Sequence, residues 1–219
     1  MIVFDVDGTL LGGEHHDWKS FDDAFEEAAG FRFPPDFFTN LPEVTAEAIM
    51  HQALVDVPHS DKTRIIDQTR QGYLTRNQAA HEETGNAFVK TPGVHELWED
   101  LRAREIPFAI ATGDWHETIS YKLSVAGIDV EGVPMATSSD CYARADIIRT
   151  AVKRAGGELS KSVYVGDGVW DLKATQRLGI PFIGCGARPD ALRNAGARHV
   201  LEDLHPERFW PAYHALKDS

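Results

Sequence analysis

The sequence predicts an α/β fold in which a doubly wound parallel sheet carries a separate helical insert. Three observations lead to this prediction. A short apolar stretch near the start of the chain, residues 2–6, is typical of a buried strand. A long section with helical periodicity follows it, from residue 14 to about residue 90. From Val94 onward, helices and short apolar strands alternate, which is the pattern of βαβ units with right-handed crossovers.

The first strand is predicted from Ile2, Val3, Phe4 and Val6, which are too uniformly apolar to alternate between a buried and an exposed face. Two carboxylates, Asp5 and Asp7, come where this strand should end, and Gly8-Thr9 interrupts it. The pair Gly12-Gly13 then forms a flexible joint.

The insert is predicted to be helical apart from a loop at residues 31–40, without a convincing strand. Its first helix carries an apolar face from Phe21 to Ala28, and Gly30 is expected to end it. Asn40 followed by Glu43 resembles a capping box that opens the next helix. A further helix follows Pro58, and Thr91-Pro92-Gly93 closes the section. We therefore expect a core domain at residues 1–13 and 91–219 and a helical domain at residues 14–90.

The second part of the chain supplies the remaining strands and helices. We expect strands at residues 107–111, 133–137, 162–165, 180–185 and 198–201, and helices at residues 145–155, 172–178 and from about Pro206. The helix after Thr112-Gly113 is expected to be capped by Asp114 with Glu117 and to bury Ile119, Leu123 and Ala126.

Composition excludes several classes of protein. The chain has 219 residues, 42% hydrophobic and 26% charged, which suits a packed globular core. Its formal net charge of −12 argues against a nucleic-acid partner, because a phosphate backbone attracts Lys and Arg. Cys141 and Cys185 are too few for a disulfide framework. No stretch approaches the ~20 apolar residues of a membrane span, so we expect a cytoplasmic monomer or homodimer without membrane contact.

Polar residues follow three of the predicted strands at their carboxyl ends: Asp5 and Asp7, Thr112, and Asp167. In one parallel sheet these ends share an edge, where ligands of open α/β sheets bind. Topology alone therefore predicts that these side chains converge. Two carboxylates placed this close together need a cation, a shared proton or a catalytic role.

Two motifs carry a family resemblance. Residues 5–9 read Asp-Val-Asp-Gly-Thr, and residues 166–171 read Gly-Asp-Gly-Val-Trp-Asp. They resemble the first and last motifs of the haloacid dehalogenase superfamily, D-x-D-G-T and G-D-x-x-x-D, and the chain is most similar to its phosphoglycolate phosphatase branch. The resemblance implies a Rossmann-like core with an inserted α-helical cap domain. It also implies a phosphatase that hydrolyses a small phosphorylated metabolite through an aspartyl-phosphate.

The resemblance assigns a role to each aspartate. Asp5 would be the nucleophile, and Asp7 the general acid and base, with its backbone carbonyl in the metal set. Asp167 would bind Mg²⁺ and Asp171 would support the metal shell. A hard cation with oxygen ligands neutralises such a cluster and leaves positions for phosphate. The simpler alternative for 167 and 171 is a glycine turn in which one aspartate caps the next helix.

Three further residues would hold the phosphoryl group. Thr112 resembles the second motif, where its hydroxyl and the Gly113 N–H would bind phosphoryl oxygens. The third motif usually has a lysine, and Arg144 occupies the corresponding place. Arginine keeps the charge and can bind phosphate in a bidentate manner. Lys153 and Lys161 are the rivals for this role, although both are more simply explained as solvated surface residues.

The sequence indicates less clearly which residues select the substrate. Glu43, Thr45 and the His15-His16-Trp18 group are candidates for cap contacts, and each is more simply a helix cap or a surface residue. Trp115 and Trp170 flank the second and fourth motifs. They could wall the mouth of the site, although a tryptophan there more often packs a helix onto a sheet.

Other chemistries on the same scaffold stay open or are opposed by particular residues. A 2-haloacid dehalogenase needs neither an acid at position 7 nor Mg²⁺, so the presence of Asp7 argues against this activity. A phosphonate hydrolase would need a cap lysine for a Schiff base, and Lys19, Lys62 and Lys90 lie in no recognisable setting. A sugar phosphomutase shares the core residues. A non-catalytic receiver-like module would also bind Mg²⁺ and become phosphorylated, but it lacks both an acid at position 7 and a large insert.

Overall fold

The computed structural model describes the backbone of residues 1–12 and 14–217 and their side chains, except those of Glu14, His15, His16, Asn40 and Lys217. Gly13 of the predicted joint therefore lies outside the described residues. In chain order the elements are β1 (Ile2–Phe4), β2 (Leu11–Gly12), α1 (Glu14–Ala29), α2 (Ala46–Ala53), α3 (His59–Thr84), β3 (Val89–Lys90), α4 (Val94–Ala103), β4 (Phe108–Ala111), α5 (His116–Val125), β5 (Met135–Ala136), α6 (Arg144–Arg154), β6 (Val163–Gly166), α7 (Val169–Leu178), β7 (Phe182–Cys185), α8 (Pro189–Asn194), β8 (Val200–Leu201) and α9 (Pro206–Lys217). Short 3₁₀ turns lie at Phe37–Asn40 and Leu159–Lys161.

The main sheet is parallel and has the strand order β5-β4-β1-β6-β7-β8. The first strand lies near its centre, where Val3 pairs with Ala109 on one side and with Tyr164 on the other. Strands buried on both faces are uniformly apolar, which explains why β1 shows no alternation.

Helices cover both faces of this sheet. Ile2 and Phe4 face a core that contains Leu97 of α4, Ile119 of α5 and Phe209 of α9. Val3 points to the opposite face, into a core built with α6, α7 and α8. Successive residues of a strand point to opposite faces, so one strand of three residues contributes to both cores. The predicted doubly wound α/β core is confirmed.

The helices α1, α2 and α3 form the predicted insert after the first strand. They have a core of their own, which includes Phe25, Met50, Leu54 and Ile65. The chain enters and leaves the insert through an antiparallel ribbon, in which Leu11 of β2 pairs with Lys90 of β3. The helical cap of the predicted fold class is thus present, and the limits 14–90 remain a prediction.

The insert departs from prediction in two places. The strand β3 lies in a section that was expected to contain none, because a two-residue strand is too short to show a period. The helix expected to open at the Asn40–Glu43 pair begins only at Ala46. Its cap is Thr45, whose Oγ1 accepts a hydrogen bond from the N–H of Ala48 at 3.2 Å. The side chain of Asn40 lies outside the described residues.

The predicted end of α1 at Gly30 is confirmed. Gly30 follows α1 with a positive φ of 79°, and its N–H donates to the carbonyl of Glu26, as expected for a glycine at a helix end. Helix α8, in contrast, was not predicted, because six residues are too few to reveal a helical period. Within residues 1–12 and 14–217, no helix is both long and apolar enough to cross a membrane.

Candidate active site

A cavity lies between the carboxyl ends of β1, β4 and β6 and the helical insert. Its volume is about 100 Å³. The sheet edge contributes the polar residues that were predicted to converge there: Asp5, Asp7, Thr112 and Asp167. Gly113 and Arg144, which were predicted to bind the phosphoryl group, also line the cavity. The insert contributes the opposite wall, which is mainly apolar and aromatic: Asp17, Trp18, Phe21, Val44, Thr45, Ala46, Ile49 and Tyr73.

Three buried carboxylates form the acidic centre of this site. Oxygen atoms of Asp5, Asp167 and Asp171 all lie within 4.8 Å of one another. Burial raises the pKa of Asp5 well above its usual value, and the nearby Asp171 raises it further. Burial also raises the pKa of Asp171. The protein alone therefore holds these groups at an electrostatic cost that a bound cation would relieve.

Asp171 fixes the local backbone as well. Its Oδ2 accepts the N–H of Gly168, the residue that precedes α7, at 3.0 Å. The predicted alternative, a helix-capping aspartate, therefore describes the geometry of Asp171 correctly. A side chain at position 166 would bring its Cβ within 2.6 Å of Asp171 Oδ2. This close approach explains why a glycine precedes Asp167.

Arg144 is the cation at the centre of the acidic cluster. Its Nη1 lies 2.9 Å from Asp171 Oδ1 and 3.2 Å from Asp5 Oδ1, and its Nη2 donates to the carbonyl of Val44 at 2.9 Å. Burial opposes its charge, but Asp171 and Asp5 outweigh burial and raise its pKa, so the guanidinium stays protonated. Nε is buried and has no hydrogen-bond partner among the described residues. The rivals Lys153 and Lys161 are exposed and lie away from the cavity.

Thr112 and Gly113 lie at the end of β4, beside Arg144. Thr112 is held by its own N–H, which donates to the carbonyl of Ala136 at 3.1 Å, and its Oγ1 accepts the N–H of Asp114 at 3.2 Å. Gly113 touches the insert, because its carbonyl accepts the N–H of Ala46 at 2.7 Å. A Cβ at position 113 would come within 2.3 Å of Arg144 Nη2, so this position needs glycine.

Asp7 lines the cavity, but its carboxylate stands apart from the acidic triad. Its Oδ1 accepts a hydrogen bond from Lys122 Nζ at 3.1 Å. Burial raises the pKa of Asp7 to about 7, against the opposing effect of the Lys122 ammonium. The expectation for Asp7 as a metal ligand concerned its backbone carbonyl, so the position of the side chain does not conflict with it.

Lys122 was missed by the sequence analysis. It is fully buried on α5, where its Nζ also contacts Asp114, Tyr73 and Asp17. A signal for it was available, since position 122 falls three residues after Ile119 and four before Ala126, inside the apolar stripe of the predicted helix. A lysine in such a stripe has to find buried partners.

The expected cap formed by Asp114 is wrong. Helix α5 begins at His116, and its N-cap residue, Trp115, makes no side-chain capping hydrogen bond. The Asp114 carboxylate instead accepts the N–H of Trp115 at 2.6 Å and the ammonium of Lys122 at 2.9 Å. The buried lysine outcompetes the helix end because a buried charge requires a charged partner.

The candidate cap contacts have different positions. Thr45 is buried and lines the cavity, and its hydroxyl donates to the carbonyl of Tyr142 at 2.8 Å. Glu43 lies behind Arg144, whose backbone N–H it accepts at 3.2 Å. Trp18 lines the cavity mouth. The side chains of His15 and His16 lie outside the described residues.

The two tryptophans also differ. Trp115 is fully buried, but it packs against Phe21 and Tyr73 of the insert rather than onto the sheet. Trp170 lines the cavity. The guanidinium of Arg188 stacks 5.7 Å above the Trp170 ring and reaches Asp167 at 3.5 Å, and this arginine was not predicted. The described lining of the cavity includes none of Lys19, Lys62 and Lys90.

The fold and this cavity define a class of α/β proteins in which a helical cap covers carboxylates at the end of a central strand. The family model for haloacid dehalogenase-like hydrolases matches residues 2–185, and the chain belongs to this family. The resemblance read from the two aspartate motifs is thereby confirmed.

Known relatives are distant in sequence but cover most of the chain. A phosphoglycolate phosphatase of Agrobacterium fabrum is 23% identical over 192 residues, which are 84% of this chain and 79% of that protein. The crystal structure of CbbY from Rhodobacter sphaeroides in complex with phosphate is 18% identical, with a TM-score of 0.75 and coverage of 96% and 97% of the two chains. A β-phosphoglucomutase from Clostridium difficile is 15% identical, with a TM-score of 0.77 and coverage of 99% and 96%.

Proposed function

We propose that this protein is a Mg²⁺-dependent phosphatase, which hydrolyses a small phosphorylated metabolite through an aspartyl-phosphate intermediate. One observation carries the proposal: the buried guanidinium of Arg144 and the triad Asp5, Asp167 and Asp171 converge at the end of the central strand. A phosphoryl group placed there meets a nucleophile, a cation and the oxygen ligands of a metal ion.

The residues present fit Mg²⁺. Asp5, Asp167 and Asp171 offer only oxygen atoms, which this hard cation prefers. Burial raises the pKa values of Asp5 and Asp171, and the charge of Asp171 adds to the shift of Asp5, so a bound divalent cation would stabilise the ionised carboxylates. We assign Asp5, Asp167 and the backbone carbonyl of Asp7 as ligands, and Asp171 as the support of the shell. Bound Mg²⁺ would neutralise the cluster and polarise a phosphoryl oxygen.

Arg144, Thr112 and Gly113 would hold the phosphoryl group. The Nε of Arg144 is buried without a partner, so a phosphate oxygen can satisfy a donor that the described residues leave unpaired. Thr112 and Gly113 directly follow β4 and line the cavity, where the hydroxyl and the N–H would donate to phosphoryl oxygens. These donors offset the repulsion between the Asp5 carboxylate and a phosphate dianion.

The reaction then has two balanced steps. A carboxylate oxygen of Asp5 attacks phosphorus, the bond to the ester oxygen breaks, and Asp7 gives its proton to the departing alkoxide. Asp7 next takes a proton from a water molecule whose oxygen attacks phosphorus. The bond from phosphorus to Asp5 breaks, which releases inorganic phosphate and restores both aspartates.

The insert would act as the lid of this reaction, and we propose residues 14–90 as its limits. Its apolar wall, with Phe21 and Ile49, reduces the water around the reacting groups. The relatives support a phosphoryl group at the site, because one is a phosphoglycolate phosphatase and another was crystallised with phosphate. In this sequence Gly12-Gly13 stands where that phosphatase branch commonly has an acidic residue, so the proposal names no single metabolite.

The test is a screen of phosphorylated metabolites with and without Mg²⁺, measured as released phosphate, with Asp5→Asn as the key variant. The proposal predicts Mg²⁺-dependent turnover that Asp5→Asn abolishes, because an amide cannot form the acyl-phosphate. Asp190→Asn removes an exposed carboxylate and is the matched control, which should retain full activity.

Three outcomes would overturn the proposal. Full activity in Asp5→Asn would refute the nucleophile. An isomerised product without free phosphate would indicate a phosphomutase. Phosphorylation that stops after one equivalent per protein would indicate a receiver-like module.

A further inference from the structure

A buried ionic cluster joins the insert to the core directly behind Asp7. Its centre is Lys122, whose side chain is completely buried. The ammonium lies 3.1 Å from Asp7 Oδ1, 2.9 Å from Asp114 Oδ2 and 2.8 Å from the Tyr73 hydroxyl, and it also forms an ion pair with Asp17. Asp17 and Tyr73 belong to the insert, whereas Asp7 and Asp114 belong to the core.

Each hydrogen bond around Lys122 has a defined donor and acceptor. The Tyr73 hydroxyl accepts from Lys122 and donates its own proton to Asp17. An ammonium has three donors and no acceptor, so Lys122 can bind Asp7 only with a hydrogen that its other partners leave available. The partners on the insert therefore help to decide which way the ammonium faces.

Stability alone is a poor explanation for this cluster. Removing an ammonium and three carboxylates from water is costly, and apolar residues of similar size often stabilise a fold as well or better. The cluster does fix the orientation of the Asp7 carboxylate. Lys122 holds one oxygen of Asp7, while the Asp7 side chain remains 29% exposed and lines the cavity.

We propose that Lys122 is a positioning residue, which holds the Asp7 carboxyl group toward the ester oxygen of the substrate when the insert is docked. This inference rests on the proposed phosphatase activity and on Asp7 as its general acid. In the described contacts Lys122 does not reach the acidic triad. It acts through Asp7, and Asp17 and Tyr73 tie its position to the insert.

The inference makes a prediction about leaving groups. An alkoxide is a poor leaving group and needs a proton from Asp7, whereas p-nitrophenolate leaves without one. General acid catalysis contributes about 10²–10⁴-fold. Lys122→Met keeps the length of the side chain and removes its charge. It should therefore lower kcat/KM for an alkyl phosphate by roughly 10- to 100-fold and for p-nitrophenyl phosphate by less than about threefold.

The experiment measures kcat/KM for both esters with the full chain and saturating Mg²⁺. This parameter reports the transfer of the phosphoryl group to Asp5, so the later hydrolysis step does not mask the difference. Lys153→Met is the matched control, because it removes an exposed lysine from α6 and should change neither value. Tyr73→Phe keeps the contact between Lys122 and Asp7 and should give a smaller effect with the same preference for the aryl ester.

A variant with three unpaired carboxylates can fail to fold. Lys122→Met/Asp114→Asn removes one of these charges and allows the same comparison in a less strained background. Equal losses for the two esters, or no loss for the alkyl ester, would overturn the positioning role. The proposed phosphatase activity would survive that result, because the wild-type protein and Asp5→Asn test it separately.

Discussion

Arg144→Met is the substitution whose effect on the free energy of unfolding the structure defines best. The guanidinium is buried between Asp5 and Asp171 at 3.2 and 2.9 Å. At an effective dielectric constant of 20, each pair attracts by roughly 5 kcal/mol. Part of this attraction only offsets desolvation of the charges, and removing one partner of a buried ion pair typically costs about 3–5 kcal/mol. For a chain of this size that loss lowers the Tm by about 6–20 °C.

The stability lost in Arg144→Met should depend on pH. Without Arg144, the folded protein can relieve the repulsion between Asp5 and Asp171 only by binding a proton. Their pKa values, already raised in the wild-type protein, rise further in the variant, whereas the unfolded chain keeps the ordinary value of 3.8. The folded variant therefore binds more protons than the unfolded chain, and its stability falls as the pH rises above about 4. The deficit relative to wild type should be larger at pH 8 than at pH 5.

Chemical denaturation of both metal-free proteins at pH 5 and pH 8 measures this difference. Arg149→Met is the control, since it removes an exposed arginine from the same helix, and it should cost less than about 1 kcal/mol at either pH. A second check uses Asp171→Asn as the background, where Arg144→Met should cost less because one carboxylate is already neutral. A deficit below 1 kcal/mol, or one that is identical at both pH values, would refute the assignment of Arg144 as the cation that compensates the buried carboxylates.

Two further predictions concern the metal and the phosphate. Mg²⁺ should raise the Tm more at pH 8 than at pH 5, because protons compete for carboxylates with raised pKa values such as Asp5. An equal shift at both pH values in a thermal scan, or no shift, would argue against a cation site in the triad. Gly113→Ala should displace Arg144, since the new Cβ would come within 2.3 Å of Nη2. With one charged hydrogen bond lost, we expect KM for a phosphate ester to rise by at least about tenfold, and an unchanged KM in steady-state kinetics would contradict the proposed grip on the phosphoryl group.

Much of the candidate site could be predicted from local patterns. Asp5 follows an apolar strand and Asp167 follows another, and parallel strands bring such ends to one edge. Asp5, Thr112 and Asp167 accordingly lie around one cavity. Arg144 was predicted from the family resemblance, as the cation of the third motif, and the structure brings it to Asp5. The catalytic roles of these residues remain predictions for the experiments above.

The residues that escaped prediction gain their positions from packing between distant segments. Lys122 meets Asp7 from 115 residues away and Tyr73 from 49 residues away. Arg188 reaches Asp167 from the start of a helix too short to show a period. Asp114 was predicted to be a helix cap because its neighbours in the sequence suggested one. Its partner in the structure is Lys122, which lies two helical turns further along the chain.

The sequence by itself determined the parallel sheet, the place of the helical insert and the set of carboxylates at the sheet edge. These properties follow from hydrophobic period, chain order and turn residues, which act over a few positions. The tertiary structure alone decided which carboxylate meets which cation: Arg144 lies with Asp5 and Asp171, and Lys122 lies with Asp7, Asp17 and Asp114. The physical reason is that buried charges must be paired in three dimensions, and the sequence pattern records burial without recording the partner.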